Sequence, residues 1–407
     1  MTISFSQLPE SPFARLRQLL GDKPPGQPEI SLAVGDPRHP APQAVLDVIA
    51  ANLDSFGRYP PIPGLPEWQT AARDWLQRRF GMDKAAYAAP HQLLPVSGTR
   101  EGLFLMAQLA RPNRPTKNLM AMPNPFYQVY AAAAIAAGAT PVYLNATADN
   151  GLLPDPEQLS PAELDAMRAV FCCSPTNPQG AVADSDYLEK WLGLAARHDF
   201  LLVMDECYAD IYDRALEDTP PVSAAAIAAR RPEGLQNLVV FHSLSKRSSL
   251  PGLRSGLCVG GDAIMKDLLD LRMIAGPQTP LAAQKAAALA WSDDAHVAEN
   301  RTRYQNKLDI AESLLGGRFG FYRPAGGFFL WLNIGTHTSD KNSDEDAARL
   351  LWEKGGVRVL PGSYLGREVK GINPGTGYIR VALVAEEAET ELALTRMRDI
   401  LSAEGYT

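Results

Sequence analysis

Between about residue 90 and residue 275 the chain alternates short apolar runs of strand length with longer stretches of helical character. QLLPV (92–96) precedes a glycine turn and the amphipathic EGLFLMAQLA, and NLMAM (118–122) leads through Pro123-Asn124-Pro125 into a helix ending near Gly138. PVYL, AVFCC, LLVMD, NLVVF and GLCVG follow, most with helical material between them. Strands separated by helices predict an α/β architecture, a mostly parallel sheet covered on both faces. Such sheets take ligands at the carboxyl ends of their strands, so polar residues there are the candidates for chemistry.

The rest of the chain reads as a smaller α+β lobe. A helical tract over about 281–317 is followed by the strand-like GGFFLWLNI, a helix near 343–354, VRVLPG, YIRVALV and a last helix to about 402. Residues 1–45, with Pro24-Pro25 and SLAVGDPRHPAP, are too broken for a core element and are expected to join this lobe or cross the interface. The expected division is a large domain at 46–280 and a small one made of 1–45 and 281–407.

Composition narrows the function classes. The chain has 407 residues, and 46% hydrophobic with 21% charged residues is ordinary for a globular protein. A net charge of −7 without a long basic run argues against nucleic acid. The four cysteines, at 172, 173, 207 and 258, include no Cys-x-x-Cys pair, so no metal site is expected and buried thiols are the reading. The start of the chain lacks a signal-peptide pattern, and the alanine-rich YAAAAIAAGATPVYL is broken by Gly138 and Pro141, so neither export nor a membrane span is expected and the cytoplasm is the expected compartment.

The sharpest chemical segment is VVFHSLSKRSSLPGLRSG (239–256), a strand running into a small-polar turn with Lys246 and, eight residues on, Arg254. A lysine that forms a Schiff base needs a rigid support and easy loss of its proton, and the neighbouring hydroxyls and arginine suit a phosphate. Asp205 ends the apolar run LLVMD, where a carboxylate needs a partner such as a protonated pyridine nitrogen, or else caps the next helix. Glu206 is an alternative acid but should point to the opposite face. In SPTNPQG (174–180), Asn177 either hydrogen-bonds a cofactor oxygen or forms a plain turn. VSGTREGLF (96–104) reads as strand, glycine turn and helix, a phosphate cradle without a Walker lysine or a Gly-x-Gly-x-x-Gly. Tyr127 in PNPFYQVY offers an aromatic face for stacking or a core ring.

Taken in order, SGTR, PNPFY, SPTNPQG, DECY, SLSK with Arg254, and YIR resemble the fold-type-I aminotransferases of the aspartate aminotransferase superfamily. The resemblance covers nearly the whole chain. It implies a pyridoxal 5′-phosphate-dependent transferase of fold type I that moves amino groups between amino acids and 2-oxo acids. Lys246 would hold the cofactor and shuttle a proton, Asp205 would pair with the ring nitrogen, and Tyr208 and Asn177 would bond the phenolic oxygen. Ser97, Gly98, Thr99, Ser243 and Arg254 would bind the phosphate, with Ser245 a further candidate, and Tyr127 would stack on the ring. Arg380 would clamp the substrate α-carboxylate with Gly35 beside it. Tyr59, in GRYPPIPGLPEW, would reach the neighbouring subunit's phosphate, which implies a homodimer with shared active sites.

PFARLRQLL, LAVGDPRHPAP, WSDDAHVAENR and VLPGSYLGRE further resemble the succinyldiaminopimelate aminotransferases of bacterial lysine biosynthesis. These exchange amino groups between N-succinyl-L,L-2,6-diaminopimelate and 2-oxoglutarate. Gln179 stands where many relatives carry threonine, a departure that should leave the asparagine's role intact. A distal carboxylate on both substrates calls for a second cationic pocket, for which Arg38, Arg100 and Arg272 are candidates. Another class I or II aminotransferase, for aspartate, aromatic or acetylornithine-type substrates, or a carbon–sulfur β-lyase on the same cofactor, would keep every residue named here.

Overall fold

The structure is a computed structural model that describes Leu8 and residues 10–110, 116–335 and 343–406. Twelve strands are described: β1 (Ile30–Ser31), β2 (Leu93–Val96), β3 (Leu119–Asn124), β4 (Thr140–Asn145), β5 (Met167–Cys173), β6 (Leu201–Asp205), β7 (Leu238–Ser243), β8 (Gly256–Gly260), β9 (Phe329–Asn333), β10 (Val357–Arg358), β11 (Leu360–Pro361) and β12 (Tyr378–Ala382). Seven of them form the central sheet in the order β2-β8-β7-β6-β5-β3-β4. The neighbours from β4 through β7 are parallel, and β8 alone runs antiparallel to both its partners.

Alternation along each strand builds two cores, because successive side chains leave opposite faces of a sheet. Leu202, Met204, Leu238 and Val240 join Trp68, Trp75, Trp191 and Trp291 on one face. Leu201, Val203, Val239 and Phe241 join Leu103, Met106, Tyr130 and Leu268 on the other. The strands are thus apolar throughout, as a doubly covered sheet requires.

Two sequence expectations change here. The tract over 281–317 is two helices, Leu281–Ser292 and Ala295–Leu315, because the Asp293 carboxylate takes the Ala295 N–H at 2.8 Å and starts a new helix. The N-terminal stretch does supply a core element: Pro12–Leu20 is a helix with proline in its first turn, and it buries Leu16 and Leu20. β1 then pairs with β10, while β9, β11 and β12 form a separate antiparallel sheet. Leu281–Ser292 packs Ala286, Ala287 and Trp291 into the core beneath the large sheet. No helix among the described residues is long and apolar enough to cross a membrane.

Candidate active site

The parallel strands deliver their last residues to one edge of the sheet, and the candidate site lies along it. β6 ends at Asp205 and β7 at Ser243. Residues 244–255 join β7 to β8, and β8 returns antiparallel to β7, so the chain turns back at this edge. Arg254, just ahead of an antiparallel strand, therefore shares the edge with Lys246, just after a parallel one. Its backbone takes a left-handed φ of 53°, an uncommon conformation for a side chain other than glycine.

A cavity of about 490 Å³ opens here, lined by Gly35, Thr99, Arg100, Tyr127, Asn177, Asp205, Tyr208, Ser243, Ser245, Lys246, Arg254 and Arg380. Lys246 Nζ donates to the Gly35 carbonyl at 2.5 Å and lies 5.6 Å from the centre of the Phe328 ring. Burial pulls its pKa from 10.5 down to about 8, against the opposing charges of Cys207 and Asp36. About a tenth of the amine is thus unprotonated at pH 7, against less than about a thousandth for an ordinary lysine.

Asp205 is buried, and burial raises its carboxyl above the ordinary range, partly offset by hydrogen bonds. Tyr130 donates its hydroxyl to Asp205 at 2.8 Å, and the Cys207 N–H donates to the other oxygen at 3.3 Å. Asp205 thus serves the following turn as a cap and still presents a carboxylate to the cavity. Glu206 points the other way, as alternation expects: it accepts the Ala224 N–H at 2.8 Å and lies 3.4 Å from His242, away from the cavity.

Arg380 is buried and donates to Asn177 Oδ1 at 3.0 Å and to the Ala33 carbonyl at 2.7 Å. Its Nε has no hydrogen-bond partner, and burial lowers its pKa to about 10, so a cation with spare donors faces the cavity. Tyr208 is fixed by the edges of Phe328 and Phe329, and burial raises its phenol. Arg254 lies so close to Gly98 that a Cβ there would fall 2.0 Å from its Nη2.

Three predicted residues behave differently. Ser97 turns its hydroxyl to the Pro277 carbonyl at 3.2 Å, and its N–H is taken by Glu101, so neither group is offered to the cavity. Gly98 contributes the space that Arg254 occupies. Tyr59 is 95% exposed and lies outside the cavity of its own chain. Of the three arginines suggested for a distal pocket, Arg272 is buried and committed to the Pro95 and Pro277 carbonyls and to Glu101. Arg38 donates to the Ser31 carbonyl and does not line the cavity, whereas Arg100 does, with its Nε on the Tyr127 hydroxyl at 2.5 Å.

The chain matches the model of the family described as aminotransferase class I and II over residues 27–397. The chain belongs to that family. It is 32% identical over 375 residues to the 4-dedimethylamino-4-oxo-anhydrotetracycline transaminase of Streptomyces rimosus, covering 90% of this chain and 92% of that one. It is 30% identical to the LL-diaminopimelate aminotransferase of Syntrophobacter fumaroxidans, covering 91% of each. Its fold superposes on an aminotransferase from Neisseria meningitidis with a TM-score of 0.88 at 34% identity, over 98% of both chains.

The protein is a pyridoxal-phosphate-dependent aminotransferase. Its cavity suits that group: a lysine with a lowered pKa, a buried carboxylate, an aromatic wall, and an arginine seated where only a glycine leaves room. Sequence reasoning missed Tyr130 and Cys207. Tyr130 lies in the first turn of the helix that Tyr127 precedes and reads as a core ring, and its hydroxyl partner is 75 residues away in sequence. Cys207 lines the cavity and lies 3.2 Å from the Thr99 hydroxyl, a contact that no local pattern announces.

Proposed function

We propose that this aminotransferase takes an amino donor with a distal carboxylate, N-succinyl-L,L-2,6-diaminopimelate, and passes the amino group to 2-oxoglutarate. The observation that carries the reading is the outer wall of the cavity. Phe13, Val34, Phe126, Gln128 and Leu365 line it with Arg100, and the only carboxylates lining the cavity among the described residues are Asp36 and Asp205. Arg100 and Gln128 suit a distal carboxylate and an amide. The succinylated donor has an amide where the free diamine has an ammonium.

The pyridoxal phosphate supplies an electron sink for the charge that develops at the substrate α-carbon. The chain's own residues do the rest in this reading. Arg380 grips the α-carboxylate as a planar fork, with Asn177 and the Ala33 carbonyl holding the guanidinium in place. Lys246 would hold the cofactor, and its amine would serve as the base for the proton on the substrate α-carbon. Asp205 stays ionised against a cationic ring nitrogen, supported by Tyr130. Asn177 and Tyr208 would donate to the phenolic oxygen, Thr99, Ser243, Ser245 and Arg254 would hold the phosphate, and Tyr127 would cover the ring.

In the same reading the enzyme is a cytoplasmic homodimer in which Tyr59 of one subunit completes the phosphate site of the other. The large lobe of this reading takes in residues 46–280, and the packing of Leu281–Ser292 beneath the large sheet supports adding that helix to it. A second reading, the unsuccinylated LL-diaminopimelate as donor, is favoured by the Syntrophobacter fumaroxidans relative. A donor panel with 2-oxoglutarate separates the two: kcat/KM for the succinylated compound should exceed that for the free diamine, acetylornithine, aspartate and aromatic amino acids by tenfold or more, about 1.4 kcal/mol of discrimination. Equal rates across the panel would end the narrow assignment and leave the transaminase untouched.

A further inference from the structure

Behind Lys246 lies a buried hydrogen-bonded cluster none of whose members lines the cavity. Asn300, on the helix Ala295–Leu315, donates its amide to the Lys246 carbonyl at 3.0 Å and to the Arg247 carbonyl at 3.1 Å. Carbonyls only accept, so this amide must present its nitrogen to them and its oxygen to His39. His39 Nδ1 lies 2.8 Å from that oxygen, and therefore carries the ring's proton. Its Nε2 is then an acceptor, and Lys307 Nζ meets it at 2.7 Å while also donating to the Leu383 carbonyl at 3.2 Å. One tautomer of one imidazole satisfies every contact.

The cluster joins three segments that meet at the site. Lys246 is held through Asn300. His39 follows Gly35, the acceptor of the Lys246 amine, by four positions, and its carbonyl takes the Ser249 hydroxyl at 2.8 Å. Leu383 lies three residues beyond Arg380. An aromatic path runs beside it: the His39 and Tyr304 rings are 4.6 Å apart, and Tyr304 stacks on Phe328 at 4.8 Å, the ring beneath the Lys246 amine. His39, Asn300 and Lys307 are all buried, although nothing in the packing of a helix onto a sheet requires three polar side chains there.

We infer that His39, Asn300 and Lys307 form a positioning unit that sets Lys246 against Gly35 and Arg380, and that it works only while His39 is neutral. The inference rests on Lys246 being the catalytic lysine. Protonation of His39 would remove the acceptor for Lys307 and set two cations 2.7 Å apart. The charges around the pair are Glu386 and Glu387 at the start of the last helix, Arg303 one turn before Lys307, and Arg38 beside His39. Burial lowers the pKa of His39 below 6.5, which favours the neutral ring, and lowers that of Lys307 to about 8.

The test uses the holoenzyme and two variants, Asn300→Ser and Lys307→Met, with thermal melting as a check on folding. Asn300→Ser should lower kcat about tenfold and change the donor KM less than about twofold, since the lysine is misplaced but the carboxylate clamp is intact. Lys307→Met removes the cation beside His39, so the acid limb of kcat, and of the pH titration of the bound cofactor's visible absorption, should move up toward 6.5. Lys307→Arg keeps a donor to His39 and should restore the wild-type limb. If both variants lose only melting temperature, with kcat and the two pH limbs unchanged, the cluster is a mere brace and the inference is overturned. Should Lys307→Met fail to fold, Asn300→Ser alone decides on kcat and the absorption titration. A Lys246→Ala protein that still turned over would fault the choice of lysine instead, a result separable from all of these.

Discussion

Lys246 holds its proton weakly because a buried ammonium gives up hydration that the Gly35 carbonyl only partly replaces. The lowered pKa has a consequence for stability. A group whose folded pKa lies below its unfolded one destabilises the fold at any pH where the unfolded state would bind the extra proton. For Lys246, between 10.5 unfolded and about 8 folded, the cost is full below pH 8 and gone above 10.5. Lys246→Met should therefore abolish turnover yet stabilise the cofactor-free protein in urea at pH 7, by up to about 3 kcal/mol. The gain should shrink as the pH rises past 8, and a constant gain would show that packing rather than charge explains it. At this scale the sequence is informative wherever a residue type has few other uses: an aspartate closing an apolar strand, a lysine in a hydroxyl-rich turn. Tyr130 had no such mark, because an aromatic on a buried helix is ordinary until its hydroxyl is seen to reach Asp205.

Among the elements, the turn between β2 and the helix Thr99–Leu109 shows why a glycine is there. Gly98 has a φ of 87°, and the space over its Cα belongs to Arg254. Gly98→Ala should leave the fold standing and push Arg254 off the phosphate site, weakening pyridoxal phosphate affinity about tenfold or more, the loss expected of one charged hydrogen bond. Cofactor dissociation followed by absorbance reads this directly; an unchanged affinity would remove Arg254 from the phosphate site. All seven strands of the central sheet were legible from apolar runs bounded by turns, since a strand covered on both faces leaves an unbroken hydrophobic signature. The direction of β8 was not, because an apolar run reads the same whichever way it enters the sheet. The break at Asp293-Asp294 was equally hidden: both halves are helical, and only the capping geometry separates them.

For the molecule as a whole, the five most exposed large apolar side chains among the described residues fall in two segments. Leu53, Phe56 and Tyr59 are 60%, 61% and 95% exposed, and Met273 and Ile274 are 62% and 91% exposed. Both segments pack around the start of the helix Leu281–Ser292: Lys285 donates to Asn52, Gln284 accepts the Leu65 N–H, and Ser97 reaches Pro277. Exposed apolar clusters of this kind mark association surfaces. Replacing Met273 with Glu and Ile274 with Asp together should convert a dimer to a monomer by light scattering and weaken cofactor binding with it. A monomeric wild type with full cofactor affinity would end the shared-site reading. The amino-acid sequence by itself determined the α/β class, the strands and the residues of unusual chemistry, because burial on both faces and a charged group at a strand end leave local marks. The tertiary structure decided what those residues meet. Arg254 beside Gly98, Tyr130 on Asp205 and the cluster of His39, Asn300 and Lys307 are contacts between segments far apart in the chain, and the reversal of β8, the packing of the helix Gln128–Ala136 on the sheet and the packing of the long helix bring them together.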